Sequence, residues 1–171
     1  IINGSGGVGK TTFVSLCKQN WKIESLCTNI STIDPIKHIA ARCGWCGAKT
    51  EKDKKFLSDL KALTTKYNNF SFEKTVKEVR AFISYVGHYD FTEEDILIFI
   101  DCKEPEEIDK LKAELKAITL LITNKRVPVI TTNISDKNVL NYDYDYYIDN
   151  SSTLESLEQK ALSFLKLIKR D

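Results

Sequence analysis

The chain has 171 residues, of which 42% are hydrophobic and 29% charged, a composition typical of a single globular domain, 1–171, with a proper core. Lys and Arg total 25 against 24 Asp and Glu, a balance that argues against nucleic acid or an acidic membrane as the partner. The five cysteines, an odd number, argue against a disulfide framework and for a reducing, cytoplasmic setting.

The chain opens on a short apolar strand and a glycine-rich loop, together reading IINGSGGVGKTTF. The pattern G-x-x-x-x-G-K-[ST] leaves the backbone free to curl around an anion with its N–H groups pointing inward. In this pattern Lys10 can reach the β- and γ-phosphates of a nucleotide, and the Thr11 hydroxyl can hold Mg²⁺. A helix that starts here would also direct its positive end at the phosphates. The predicted nucleotide-binding residues are Gly4, Ser5, Gly6, Gly7, Val8, Gly9, Lys10, Thr11 and Thr12.

Beyond the loop, helical and extended patterns alternate along the chain. In order, they predict a helix from Lys10 to about Asn20, a strand Ile23–Thr28, a helix from Asp34 to near Gly44, and helices at about 51–66 and 71–86. There follow a strand within Asp95–Asp101, a helix from Glu104, strands Ile118–Thr123 and Tyr146–Asp149, and a closing helix capped by Ser152-x-x-Glu155. The first strand is only a few residues long and the chain has no methionine, so we expect a few residues to precede Ile1.

This alternation predicts an α/β fold, the three-layer P-loop NTPase sandwich with five parallel strands and helices on both faces. Ligands in such folds lie at the carboxyl ends of the strands, where the glycine loop is expected. The helices at about 34–88 form an insertion longer than a crossover needs, and we expect a helical flap that holds an acceptor and excludes water. Its first long helix should bury a stripe of Phe56, Leu57, Leu60, Leu63 and Tyr67.

Two acids follow predicted strands. Asp101 ends the central apolar strand, where an acid can hold Mg²⁺ or can simply terminate the strand. Asp34, followed by Pro35, can cap its helix, contact the acceptor, or do both.

Phosphoryl transfer also needs cations near the moving phosphate and near the acceptor. Among the few arginines, Arg42 near the flap and Arg126 after the fourth strand are the useful candidates. A lysine cluster at the start of the flap helix either receives a phosphate or is a solvated helix face; it comprises Lys49, Lys52, Lys54 and Lys55.

Other chemistry-bearing residues have simpler interpretations. Cys43 and Cys46 form a C-x-x-C pair, but no second pair completes a zinc site, so a turn with small buried thiols is favoured over metal or redox chemistry. His38 and His88 show no partner spacing and are read as structural or surface groups. Four tyrosines before and within the last strand predict a packed rim: Tyr142, Tyr144, Tyr146 and Tyr147.

The chain resembles the nucleoside-monophosphate kinase family, specifically its compact phage-type deoxynucleoside-monophosphate kinases. Besides the phosphate loop, the matching stretches are Ser31-Thr-Ile-Asp34 with Ile36-Lys37, Gly44-Trp45 with Lys49-Thr-Glu-Lys-Asp53, Phe56-Leu-Ser-Asp-Leu60, Cys102-Lys-Glu-Pro-Glu-Glu-Ile108, and Tyr144-Asp-Tyr-Tyr-Ile-Asp-Asn150 with Thr153-Leu-Glu155. The resemblance implies ATP as donor, Mg²⁺, and a nucleoside monophosphate under the flap.

The same resemblance implies Asp34 near the acceptor, Lys54 and Lys103 on phosphates, and Asn150 near the adenine. The family pattern prefers arginine at the two lysine positions. Lysine keeps the charge but loses the planar two-pronged grip, which predicts weak turnover. The stretch Asn124–Asn138 leaves little room for a lid.

The ending GGVGKTT also resembles the partition-type ATPases, which act as switches. Those proteins carry a lysine where this chain has Ser5, and two close acids after the second strand where Thr28–Asp34 has one. A kinase is therefore favoured, in which Lys10 and Arg126 neutralise charge, Thr11 and Asp101 serve Mg²⁺, and Asp34, Arg42 and Lys54 receive the acceptor. A switch without acceptor, or a kinase for another small metabolite, is the alternative, and either a monomer or a homodimer is compatible with the sequence.

Overall fold

A computed structural model describes residues 1–128 and 138–169. Within them the elements are, in chain order, β1 Ile2–Asn3, α1 Lys10–Gln19, β2 Cys27–Ser31, α2 Asp34–Arg42, α3 Glu51–Asn68, α4 Phe70–Val86, β3 Leu97–Asp101, α5 Pro105–Leu115, β4 Leu120–Thr123, β5 Tyr146–Asp149 and α6 Leu154–Ile168. Short 3₁₀ turns lie at Glu24–Leu26, Glu93–Asp95 and Asn138–Leu140. None of the helices in these two ranges combines the length and the apolar character needed to cross a membrane.

The five strands form one parallel sheet, as the alternation of elements predicts, and their order in the sheet is β2-β3-β1-β4-β5. Ile2 of β1 is in register with Asp101 of β3 on one side and with Leu120 of β4 on the other. Since all the strands run the same way, their carboxyl ends share one edge, and the loop after β1 lies at the middle of that edge.

Helices cover both faces of the sheet, because successive strand residues point to opposite faces and both sets are apolar. Phe99 packs with Phe13 of α1 and Phe164 of α6 on one face. Ile100 belongs to the other core, with Val79 of α4 and Ile108 of α5. The predicted α/β architecture with a five-stranded parallel sheet is therefore confirmed.

Three local predictions are wrong. The second strand begins at Cys27 and not at Ile23, because β2 is an edge strand whose outer residues, such as Asn29, are polar and hide the pattern. Asp34 is the first helical residue and not the cap, which is Ile33 and makes no side-chain cap hydrogen bond. The cap of α6 is Thr153, whose side chain accepts from the Ser156 N–H, and not Ser152.

The α3–α4 helix pair has the predicted positions but not the predicted burial. The Thr50–Asp53 capping box is present, and a single left-handed residue, Asn69, joins the two helices. The predicted apolar stripe of α3 is largely outside the core, with Leu63 66% and Tyr67 86% exposed. The buried residue of α3 is instead a lysine, Lys61.

Candidate functional site

The glycine loop joins the buried end of β1 to the first turn of α1. Three of its glycines have positive φ angles, 147° at Gly4, 83° at Gly7 and 98° at Gly9, which side-chain-bearing residues rarely adopt. Helix α1 begins directly after the loop at Lys10, so its unpaired N–H groups and positive dipole end lie beside it. Strand, curled loop and helix together form a concave anion-binding element.

Neighbouring strands hold this loop from two sides. A Cβ on Gly4 would lie 2.4 Å from the Ile122 carbonyl oxygen of β4. A Cβ on Gly9 would lie 2.3 Å from Nδ2 of Asn150, which follows β5 and donates to the Val8 carbonyl at 2.9 Å. Asn150 therefore fixes the shape of the loop, a contact that the sequence did not predict.

The residues of the first turn of α1 face the loop or solvent. The Lys10 ammonium lies over the loop and donates to the carbonyl oxygens of Gly4 at 2.6 Å and Ser5 at 3.2 Å. Thr11 and Thr12 are exposed, and Ser5 and Val8 are buried. The lysine is thus positioned on the concave side of the glycine loop, within reach of any anion bound there.

Asp101 lies at the carboxyl end of β3, beside β1. Burial raises the pKa of its carboxyl group, while Lys10, Lys103 and Lys37 oppose that rise and Asp34 adds to it. The charges of these four groups therefore reach Asp101. They include Lys10, Asp34 and Lys103, which the sequence singles out separately.

Asp34 is half-buried and forms an ion pair with Lys37 at 2.7 Å, one turn along α2. It makes no helix cap, but as an acid in the first turn of α2 it lies at the positive end of the helix dipole. Its charge acts on Asp101, which places it at the same edge of the sheet.

A hydroxyl and a carboxylate at this edge suit a hard cation. Thr11 offers an exposed oxygen at the helix start, and Asp101 offers a carboxylate whose charge is disfavoured by burial. Both are oxygen ligands of the kind that Mg²⁺ prefers, and Mg²⁺ keeps its remaining positions for water and phosphate oxygens. The residues present therefore fit the ion that the sequence implies.

A cavity of about 620 Å³ opens next to this edge. Its walls are α3 and the start of α5, and its floor is the end of β2 and β3, including Ser31 and Asp101. Lys54 and Lys103, the two lysines that the resemblance places on phosphates, line it, and Lys54 also pairs with Glu51 at the surface. The other lining residues are Thr32, Ile33, Leu57, Ser58, Lys61, Ala62, Thr65, Lys66, Asn69, Phe72, Glu104, Glu106, Glu107 and Lys110.

Sequence reasoning missed the most buried charged group in the cavity wall, Lys61. Its ammonium donates to Glu104 at 2.5 Å, to Glu107 at 2.7 Å and to the Thr32 hydroxyl at 3.3 Å. Burial alone would lower the pKa of Lys61, but the two carboxylates outweigh it and raise that pKa. The available signal was the position of Lys61 on the same face of α3 as Lys54 and Leu57, seven and four residues earlier.

Two predicted arginines lie outside the cavity wall. Arg42 is exposed at the last turn of α2, eight residues and about 12 Å along the helix from Asp34. Arg126 is exposed on the loop after β4, where its backbone N–H donates to Asn124. The next residue, Val127, lies 3.8 Å from an ideal Cβ on Gly7, so this loop borders the glycine loop.

Three further predictions have mixed outcomes. Cys43 and Cys46 lie in a turn, as predicted, but both thiols are exposed and not buried, because the loop between α2 and α3 stands off the core. The tyrosine rim is packed: the Tyr144 ring lies 4.9 Å from that of Tyr142 and 6.0 Å from that of Tyr147. Most of the stretch Asn124–Asn138, which the sequence predicts to be too short for much of a lid, lies outside the described residues.

Neither a scan against models of known protein families nor a search of curated proteins returned a match to this chain.

Proposed function

We propose that this chain is an ATP-dependent kinase that transfers the γ-phosphoryl group to a (deoxy)nucleoside monophosphate, on a P-loop sandwich whose α2–α4 segment forms the acceptor flap. The observation that carries the proposal is the position of Asp101. Asp101 lines the 620 Å³ cavity. Burial raises the pKa of its carboxyl group, and the positive charge of Lys10, at the end of the glycine loop, acts on the same group and opposes that rise. A donor held by the loop and an acceptor in the cavity would therefore meet at this residue.

In this mechanism the backbone N–H groups of Gly4–Gly9 and the N-terminus of α1 hold the donor phosphates. An oxygen of the acceptor phosphate forms the new bond to the γ-phosphorus as the bond to the leaving ADP oxygen breaks. Lys10 leaves the carbonyl oxygens of the loop and neutralises charge that develops on the transferred group. Mg²⁺, held by Thr11 and Asp101, would supply further charge neutralisation.

The cavity residues receive the acceptor. Lys103 and Lys54 attract its phosphate. Asp34, the first residue of α2, contacts its sugar or orients it from beside the cavity. The helical walls formed by α3 and α5 exclude water from the transferred group, so that transfer to the acceptor competes with hydrolysis. A switch that only hydrolyses a nucleotide has no need of such a cavity beside its phosphate loop.

The test is ADP release from Mg-ATP with each common nucleoside and deoxynucleoside monophosphate in turn, against a blank without acceptor. We expect one or more of them to raise the rate at least about tenfold, since transfer to a positioned acceptor replaces slow attack by water. Equal rates with every acceptor and with the blank would overturn the kinase and favour a nucleotide switch. Product analysis would separate true transfer from stimulated hydrolysis.

Gly9→Ala tests the loop itself. The added Cβ would meet Nδ2 of Asn150 at 2.3 Å in a backbone conformation with φ of 98°, so the loop must move. We expect ATP affinity, measured by calorimetric titration, to fall at least about tenfold, because the inward N–H groups lose their alignment.

Gly47→Ala is the matched control for that substitution. Gly47 has a φ of 89° and nothing within 4 Å of an added Cβ, so it takes the same kind of backbone strain away from the loop. Equal affinities of the two variants for ATP would show that the contact with Asn150 does not shape a nucleotide site.

A further inference from the structure

Asn3, the last residue of β1, carries a fully buried polar side chain directly before the glycine loop. Its Oδ1 accepts a hydrogen bond from the Gly4 N–H at 2.7 Å. Its Nδ2 donates to the Tyr144 hydroxyl at 2.7 Å and, less closely, to the Lys103 carbonyl oxygen at 3.4 Å. The amide of this one side chain therefore connects the glycine loop with the loop after β3 and with the segment before β5.

The partners of Asn3 fix the orientation of its amide. A backbone N–H can only donate, so the amide atom that faces Gly4 must be the oxygen. The amide nitrogen then faces Tyr144, whose hydroxyl has a single hydrogen. That hydrogen goes to the Val139 carbonyl oxygen, 2.9 Å away, which can only accept. The Tyr144 hydroxyl must therefore accept from Asn3 while it donates to Val139.

The Tyr144 hydroxyl is itself held in place. Tyr144 is only 4% exposed, and its ring packs against those of Tyr142 and Tyr147. Burial raises the pKa of Tyr144 to about 12, although the hydrogen bond from Asn3 lowers it, so the hydroxyl keeps its hydrogen at neutral pH. Val139, whose carbonyl oxygen accepts that hydrogen, is fully buried. A buried hydroxyl that stays protonated thus directs the Asn3 amide.

Gly4 connects this network with Lys10. The Gly4 N–H is held by Asn3, and the Gly4 carbonyl oxygen accepts from the Lys10 ammonium at 2.6 Å. The φ angle of Gly4 is 147°, and an added Cβ would lie 2.4 Å from the Ile122 carbonyl oxygen, so the backbone packs closely on β4 at this point. If the Asn3 amide turned, Gly4 would lose the acceptor of its N–H, and the carbonyl oxygen that holds Lys10 would be free to shift.

We infer that Asn3 and Tyr144 are positioning residues for the glycine loop. The Tyr144 hydroxyl fixes the Asn3 amide, and the amide fixes Gly4 in the conformation that binds the donor phosphates. Both side chains are buried, so they act on the nucleotide through the backbone of the loop and do not contact it. This inference rests on the proposed function in taking the loop as the site of ATP, but it does not depend on the identity of the acceptor.

Tyr144→Phe tests the inference because it removes the hydroxyl and keeps the ring. The Kd for Mg-ATP is measured by calorimetric titration well below the unfolding temperature of each variant, so that a loss of stability does not enter the result. We expect the Kd to rise at least about fivefold, as the loss of one buried hydrogen bond misplaces the groups that hold the phosphates. A Kd equal to that of the unmodified chain would overturn the inference.

Tyr142→Phe is the matched control. The Tyr142 hydroxyl also donates one hydrogen bond, to Asp109 of α5 at 2.7 Å, and the Tyr142 ring lies 4.9 Å from that of Tyr144. Its removal should leave the Kd for Mg-ATP unchanged. A purely structural role for the two hydroxyls predicts a lower unfolding temperature in both variants and the same ATP affinity in both. Equal affinities of Tyr144→Phe and Tyr142→Phe would therefore contradict a positioning role.

Asn3→Ala assigns the route by which the hydroxyl acts. Without the Asn3 amide the Tyr144 hydroxyl has no connection to Gly4, so adding Tyr144→Phe to Asn3→Ala should change the Kd for Mg-ATP by less than about twofold. A further loss in the double variant as large as that in Tyr144→Phe alone would mean that Tyr144 acts on the loop by another route, and it would remove the role of Asn3.

ATP binding and phosphoryl transfer together separate the inference from the proposed function. Weaker ATP binding by Tyr144→Phe, with no transfer to any monophosphate by the unmodified chain, would keep the positioning role and remove the kinase. Transfer by the unmodified chain, with unchanged ATP affinity in Tyr144→Phe, would keep the kinase and remove the positioning role. An unmodified chain that does not bind ATP would remove both.

Discussion

Replacing Lys10 by alanine is expected to lower kcat for phosphoryl transfer by at least about 100-fold, the loss typical of removing one preorganised charge-stabilising group. The reason is its position: the ammonium lies over the loop, 2.6 Å from the Gly4 carbonyl oxygen, and its charge acts on Asp101, which lines the cavity. No other lysine in the described residues lies on the glycine loop. The measurement is steady-state ADP formation with saturating Mg-ATP and the best acceptor.

The control for this substitution is Lys18→Ala. Lys18 is exposed in the last turn of the same helix, so the substitution removes an equal charge at the far end of α1. It should keep turnover, and circular dichroism should show both variants folded. If Lys10→Ala turned over as fast as Lys18→Ala, the glycine loop would not be the donor site.

The sheet was largely predictable because its central signals are local. The apolar run before Asp101 identifies a strand covered on both faces, and Tyr146–Asp149 has the predicted bounds. The order of the strands in the sheet could not be predicted in this way, because it depends on which strands pair with each other and a local sequence pattern does not show that. The start of β2 was missed for a related reason: as an edge strand it has an exposed Asn29 in place of a continuous apolar run.

The glycine loop and the ion pairs of Lys61 differ in the same way in how far the sequence predicts them. The loop and Lys10 are contiguous in sequence, and short-range geometry fixes their role. The role of Lys61 depends on Glu104 and Glu107, which are 43 and 46 residues later in the chain. In an amphipathic helix a lysine ordinarily marks the solvated face. In α3 the arrangement is reversed: Lys61 is buried, and the apolar side chains of Leu63 and Tyr67 are exposed.

Replacing Lys61 by methionine is expected to lower the free energy of unfolding by about 3–5 kcal/mol, because it removes the cation that pairs with Glu107, a carboxylate whose side chain is only 11% exposed. The pKa of Lys61 is raised above its ordinary 10.5, so its contribution to stability is complete at neutral pH and would be lost only as the pH rises through that higher value. Urea unfolding at pH 7.5 measures the loss. Lys52→Met, an exposed lysine in the first turn of α3, is the matched control and should be nearly neutral.

Removing the carboxylate charges distinguishes lost charge pairing from lost packing. In Lys61→Met the Glu107 carboxylate loses its cation, whereas the methionine keeps most of the hydrocarbon stem of the lysine. The variant that also carries Glu104→Gln and Glu107→Gln removes both carboxylate charges from this cluster and should recover part of the stability. A deficit that is not rescued in this way would mean that Lys61 acts through its hydrocarbon stem and not through its ion pairs.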